Sequence, residues 1–426
     1  MTFKRNLAVR LLPARRVAFP FTECKWLGFD PKTLRNELLR RRFIPLGYYG
    51  LSAAPSSESA VDQFDGMLSD GSIYATAIET ECTPAEFNVS HTSTRDSWSH
   101  KLGLLANTYR KQFAREEPKC VIVVQGYTPE SAAARAAAIS LGIPVLAIEN
   151  TAISTKMLWD NVSGITTNRN LAANHYWRYK DHVTADVANR YCDQLIERTK
   201  SLKQDEHASP SNAFSPPSNR PILLFIGQVF TDSAVTFGLC KWHSPVQAIR
   251  ECAEWCKKND FQLVVKLHPK EMHGSSPITG KKYSQLTLRK IRACKLTSRA
   301  LQETHAIIDE SNSFDTYSLI EKCRFAVTFN SQAGLEALIR GKPTVVCGNA
   351  FYGNLGFTWD SPDPLLFDLV ATCASKSITE TDARRFAYIF FEKYCIDKTE
   401  KALAKAVDAT TGLRFENTFG ESSNAV

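Results

Sequence analysis

Three apolar runs in the second half of the chain stop on residues that could do chemistry. FQLVVKLHP (261–269) ends at His268-Pro269, because proline cannot continue a central β-ladder. His268 then faces out of a strand end as a donor to a phosphate or a sugar, and Lys266 would add positive charge. A single histidine is more often structural; the strand-ending proline and a helix start in the same half tip the reading towards a ligand. PILLFIGQ (221–228) ends at Gly227-Gln228, with Asp232 four residues on. A carboxylate there can cap a helix, act as a base or act as a nucleophile, and spacing alone favours the cap. The run AVTF stops at Asn330-Ser331-Gln332, and the helix-like AGLEALIR follows until Gly341. The free N–H groups and dipole of that helix start favour an anion such as phosphate. Ser331 would cap the helix or donate to a phosphate oxygen.

The first half has the same grammar. CVIVVQ (120–125) and VLAIEN (145–150) are apolar runs that deliver Gln125, Glu149 and Asn150 to strand ends. Glu149 could deprotonate an acceptor hydroxyl; an ion pair with a basic neighbour is the alternative. No D-x-D, no phosphate-cradling G-x-x-x-x-G-K-[ST] and no G-x-S-x-G is present. A phosphate would therefore be held by helix ends and side chains, with no metal and no cofactor beyond the donor substrate.

Strands must carry these residues, and helices must separate the strands. Thr128-Pro129-Glu130 starts an alanine-rich helix that Gly142 ends before Pro144 leads into the next strand. The stretch 325–347 repeats that order, so each is a right-handed βαβ unit with parallel strands. Further strands are expected at 221–228, 261–269 and 306–309, alternating with helices at 244–259 and 313–323. The Ser/Pro/Asn-rich stretch around residue 210 has the composition of a linker. The expected layout is a Rossmann-like domain over 1–205, a linker over 206–220 and a second Rossmann-like domain over 221–375. C-terminal helices over 376–412 pack back across the junction, and 413–426 form a loose tail. The fold class is α/β, with two parallel sheets facing an inter-domain cleft.

These segments together resemble the capsule polysaccharide biosynthesis family, which includes retaining β-Kdo transferases. The likeness rests on GQVFTDS, VVKLHPKE and above all TFNSQAGLEALIRGKPTVVCGNAFYGNLGFT, across roughly residues 220–360. In the first half only AIENTAISTKMLWDNVSG carries it. The resemblance implies a GT-B architecture and a CMP-activated Kdo donor. It implies that Ser331, Gln332 and the helix start, with Asn330, Gln228 and His268, bind the CMP end, and that Lys266 favours the donor's charge. It implies Asp232 as nucleophile, Glu149 as base, and Glu336 as a residue that reaches the ribose or packs. Gln125 and Asn150 would border the acceptor. The implied activity is transfer of a sugar, with retention through an Asp-linked intermediate, to a surface polysaccharide or glycolipid. A sugar-nucleotide epimerase, a polyol-phosphate transferase and a non-catalytic nucleotide-binding assembly protein are the alternatives.

Composition is consistent with such a protein. Of 426 residues, 43% are hydrophobic and 23% charged, and no apolar run reaches the roughly 20 residues a bilayer requires. The net charge is +8. Residues 1–42 hold eleven Lys/Arg and three acids, 11 − 3 = +8, so the rest balances. That block suits an anionic membrane face, or is the solvated side of a helix, LRNELLRRRF. It lacks the aromatic interleaving of a nucleic-acid site. Arg10 splits the apolar part of the N-terminus, against a secretory signal. The twelve cysteines include no C-x-x-C and are read as reduced thiols. The expected location is cytoplasmic, peripheral on the inner membrane face.

Overall fold

The structure, a computed structural model, describes residues 15–20, 27–41, 43–48, 64, 66–151, 153–206, 213–238, 242–276, 280–360, 365–372 and 377–411. Residues 1–14, 21–26 and 42 of the basic block, residues 207–212 of the expected linker, and the tail 413–426 lie outside them. The chain forms two compact units. One comprises residues 1–75, 93–168 and 395–426, the other 76–92 and 169–394.

The first unit contains a six-stranded sheet in the order β12-β5-β4-β3-β1-β2. Its strands are β1 (Arg15–Pro20), β2 (Phe43–Tyr48), β3 (Pro118–Val124), β4 (Val145–Asn150), β5 (Lys156–Asp160) and β12 (Ile396–Asp397). The four at the β2 side are parallel; β5 and β12 join antiparallel. Along β3, Val121 and Val123 enter one apolar cluster, and Cys120, Ile122 and Val124 enter another. Burial on both faces is why the run is continuously apolar.

The second unit repeats the arrangement with β6 (Ile222–Ile226), β7 (Gln262–Lys266), β8 (Ile307–Asp309), β9 (Phe325–Thr328), β10 (Thr344–Val346) and β11 (Trp359–Asp360). All pairings are parallel, in the order β11-β10-β9-β6-β7-β8. From β6 the chain winds outward through β7 and β8, then returns to β9 on the other side. The switch point therefore lies between β6 and β9, where such sheets take ligands. Leu223 and Phe225 face one cluster and Ile222, Leu224 and Ile226 the other. Trp255 meets Phe261, Phe325 and Phe367 edge-on, and its indole N–H donates to Asp368 at 2.9 Å, so its polar handle is satisfied. Two doubly wound, parallel-rich sheets in one chain match the expected α/β fold class.

The division along the chain differs from the expected 205/206 boundary. Helix Ala185–Glu206 packs along helix Ser377–Ile389, with Arg384 Nη1 donating to Asp193 at 2.8 Å and Arg385 Nε to Val183 O at 3.1 Å. The segment 169–205 is thus held by residues far downstream. The C-terminal helices divide too: 377–394 belong to the second unit, whereas β12 and helix Glu400–Thr410 complete the first. Composition marked the polar stretch, but side-chain packing set the boundary. Among the described basic residues, helix Pro31–Arg40 buries Leu34 and Leu38 and leaves Lys32, Arg35 and Arg40 in solvent. No described helix is long and apolar enough to cross a membrane.

Helix Gln332–Leu338 sits against Tyr352, whose buried hydroxyl donates to Ser331 O at 2.6 Å. A Cβ on Gly334 would lie 2.1 Å from that hydroxyl and 2.8 Å from Thr328 Cγ2. Glycine to alanine inside a helix normally gains about 1 kcal/mol. Here Gly334→Ala should instead cost about 1–3 kcal/mol, as overpacking does, read as a lower denaturant midpoint. In a Tyr352→Phe background the nearest clash is gone and the added cost should shrink. An unchanged or raised midpoint for Gly334→Ala alone would contradict this packing.

Candidate functional site

In the second unit, the register aligns three strand ends. Ile226 is level with Lys266 on one side and Thr328 on the other. Gln228, His268 and Asn330 each come two residues beyond that row. Gln228 Oε1 accepts from Asn330 N at 3.1 Å, closing the switch point between β6 and β9. Asn330 Nδ2 donates to Ala234 O at 2.7 Å and so fastens the short helix Ser233–Gly238 to the same edge.

Asp232 stands directly before that helix, half-buried. Its Oδ1 accepts from Ala234 N at 2.9 Å and lies 3.4 Å from the Ser233 hydroxyl, and its own N–H donates to Val229 O at 2.9 Å. The cap that spacing favoured is therefore made, by one oxygen. Oδ2 accepts no hydrogen bond from any described residue. On the next loop, His268 Nδ1 accepts from Lys270 N at 3.1 Å. The neutral ring then carries its proton on Nε2, as a donor. Ser331 is the N-cap of helix Gln332–Leu338: its Oγ accepts from Ala333 N at 3.3 Å, and its N–H donates to Thr328 Oγ1 at 3.3 Å. Its hydroxyl proton is left to point elsewhere. Gln332, half-buried, opens the helix.

Two expected donor-binding residues turn inward. Lys266 is 4% exposed. Its three N–H bonds go to Asp309 at 2.5 Å, Asn312 at 2.5 Å and Phe314 O at 2.7 Å. The expectation that it meets a donor is corrected: an ammonium has three donors and all are spent inside the fold. Burial lowers its pKa, with Asp309 opposing. Glu336 is likewise buried, within the helix that Ser331 caps.

The first unit gathers its own cluster. Glu149, at the end of β4, accepts from Gln125 Nε2 at 2.5 Å, from Thr166 Oγ1 at 2.5 Å and from the Tyr127 hydroxyl at 3.4 Å. The chain bends sharply to do this. Gln125 and Gly126 both have positive φ, 65° and 83°, and a Cβ on Gly126 would fall 2.1 Å from Gly164 O. A non-glycine residue held there costs of order 1–3 kcal/mol. The facing loop is fixed by Asp160, fully buried, which accepts from the Val162, Ser163 and Gly164 N–H groups and from Asn168. Thr166 N then donates to Gln125 O at 3.0 Å. Gln125 and Glu149 are thus together, with hydroxyl and amide donors on the carboxylate. Asn150 is exposed beside them. Thr166 and Tyr127 had no signal in the sequence, because they reach Glu149 only through this folded loop.

One residue inside a quoted motif had been given no role. Glu271, 1% exposed, accepts from Phe230 N at 2.8 Å, Thr287 N at 2.9 Å and the Thr287 hydroxyl at 2.7 Å. Nine described cysteines are free thiols, most of them buried; burial raises Cys192 and Cys323 to about 12. Among the described residues no three His, Cys, Asp or Glu side chains cluster as a metal site.

The profile of the capsule polysaccharide biosynthesis protein family matches residues 161–392, more than half of the chain, and the chain belongs to that family. The lipopolysaccharide-processing protein LpsZ of Rhizobium meliloti is 26% identical over 182 residues, 42% of this chain. The match spans about a third of that relative, 35% of its length. Two solved structures from Thermosulfurimonas dismutans are similar: KpsC, beta Kdo 2,7 transferase and KpsC, beta Kdo 2,4 transferase. The first is 12% identical with a TM-score of 0.45, covering 93% of this chain and 99% of that one. The second is 17% identical with a TM-score of 0.46, covering 70% and 88%.

Burial raises the pKa of Glu271 above its ordinary value of 4.5, against its bonds to Thr287 and Phe230 N and the nearby Arg289. A carboxyl raised on folding contributes stability that is complete below the unfolded value and is lost as pH rises through the folded one. The stability difference between wild type and Glu271→Gln should therefore shrink as pH rises above 4.5. Urea unfolding across pH 4–8 measures it; a difference that grows with pH would reverse the sign.

Proposed function

We propose that this chain is a metal-independent glycosyltransferase that moves a sugar, Kdo from CMP-Kdo, onto a growing surface polysaccharide with retained configuration. The observation that carries the reading is the edge of the second unit's sheet. Asp232, with one oxygen unbonded among the described residues, follows a strand aligned with those that deliver His268 and Ser331. Membership of a capsule polysaccharide family supports the substrate class.

On this reading the His268 Nε2–H and the Ser331 hydroxyl donate to the CMP phosphate, and Gln228, Asn330 and Gln332 shape its seat. Lys266 has no part in that contact. Asp232 Oδ2 attacks the anomeric carbon, the bond from that carbon to the phosphate oxygen breaks, and CMP leaves with the electron pair. The acceptor hydroxyl then displaces Asp232, and its proton goes to a base. Two inversions give retention. In the first unit the same reading makes Glu149 that base, oriented by Gln125, Thr166 and Tyr127.

Asp232→Ala should abolish transfer from CMP-Kdo while CMP binding, by calorimetry, stays within about threefold. Mass spectrometry of the intact protein after donor exposure should reveal a Kdo adduct that Asp232→Ala lacks. Equal loss of transfer and binding would make Asp232 a helix cap only. No turnover with CMP-Kdo or any other activated sugar would remove the enzymatic reading.

A further inference from the structure

We propose that Glu271 is the positioning residue of this site, fixing the loop that carries Asp232 against the turn that carries His268. The transfer part of this inference rests on the function proposed above; the geometry does not.

Glu271 joins three segments through one buried carboxyl. Oε1 accepts from the amide of Phe230, two residues before Asp232, and from the Thr287 hydroxyl; Oε2 accepts from the Thr287 amide. Glu271's own N–H donates to His268 O at 3.0 Å, and its carbonyl accepts from Gln285 N at 2.9 Å. The β6 loop, the His-Pro turn and the start of helix Leu286–Ala293 therefore meet at one side chain. The approach to that helix is unusual: Ser284 and Gln285 are consecutive non-glycine residues with positive φ, 49° and 55°. Tyr283, buried, precedes them, and its N–H donates to Gly274 O at 3.1 Å.

A buried carboxylate is a poor device for stability alone, since an apolar residue would fill the space without the desolvation cost. It is a good device for fixing distance. Two acceptor oxygens on a rigid plane hold two backbone N–H groups from different loops at a set spacing, as orienting partners do for reactive groups elsewhere. Glutamine cannot replace it. Its single carbonyl oxygen can serve one amide, and its –NH2 then faces the other, donor against donor.

The experiment uses the full chain with Glu271→Gln. Hydrogen exchange in peptides covering 227–238 should quicken about tenfold, while peptides from β3 and β4 stay unchanged. With CMP-Kdo, kcat should fall at least about tenfold with the Kd for CMP within about threefold. Thr287→Val removes the hydroxyl contact and keeps the two amide bonds, so it should loosen the same peptides to a smaller degree. If Glu271→Gln fails to fold, that graded effect of Thr287→Val carries the test, and its absence overturns the proposal. Unchanged exchange at 227–238 in a folded Glu271→Gln also overturns it, as does a parallel fall of kcat, CMP affinity and melting temperature. A wild-type chain that turns over no activated sugar sinks the proposed function, yet leaves the exchange result standing on its own.

Discussion

Two-sided burial of parallel strands is the constraint on which the rest depends. In each unit the central strands face an apolar cluster on both sides. Between their ends such strands are apolar. Polar chemistry is pushed to the ends, and parallel winding brings the carboxyl ends to one edge. The row Ile226–Lys266–Thr328 is the consequence: three strands in register, each releasing its first outward polar residue two positions later.

Much of the polarity at that edge is consumed in building it. Gln228 accepts from Asn330, Asn330 donates to Ala234, Ser331 caps its own helix and Asp232 caps another. A buried polar group must be paired before it can be used. The residues with capacity left over are those whose chemistry exceeds their structural duty. A carboxylate has a second oxygen, and a hydroxyl has a proton after accepting. Lys266 shows the opposite outcome, with every donor committed to Asp309, Asn312 and Phe314. The first unit follows the same economy with different parts, since Gln125 and Thr166 both donate to Glu149 and orient it.

Most of this architecture was legible in the chain. The runs at 120–125, 145–150, 221–228, 261–269 and 325–328 became strands within a few residues of their expected ends, and Thr128, Ser331 and Gly142 stand at helix boundaries. The antiparallel additions β5 and β12 were not foreseen. Both are short, and the edge strand β12 pairs with β5 across more than two hundred residues of sequence, Ile396 with Met157. The same distance hid the grip of Arg384 and Arg385 on residues 183–193.

The sequence by itself determined which strands are buried on both sides, where each ends and which polar residues stand at those ends, because hydrophobic runs and Gly/Pro punctuation act locally. The tertiary structure alone decided which of those polar residues remain available. Lys266 and Glu271 lie in one unbroken motif, yet one is saturated by a loop forty residues on and the other binds the amide of a residue forty residues back. Hydrogen-bond donors and acceptors are finite, and which partner takes them depends on distance in space, which no spacing along the chain records.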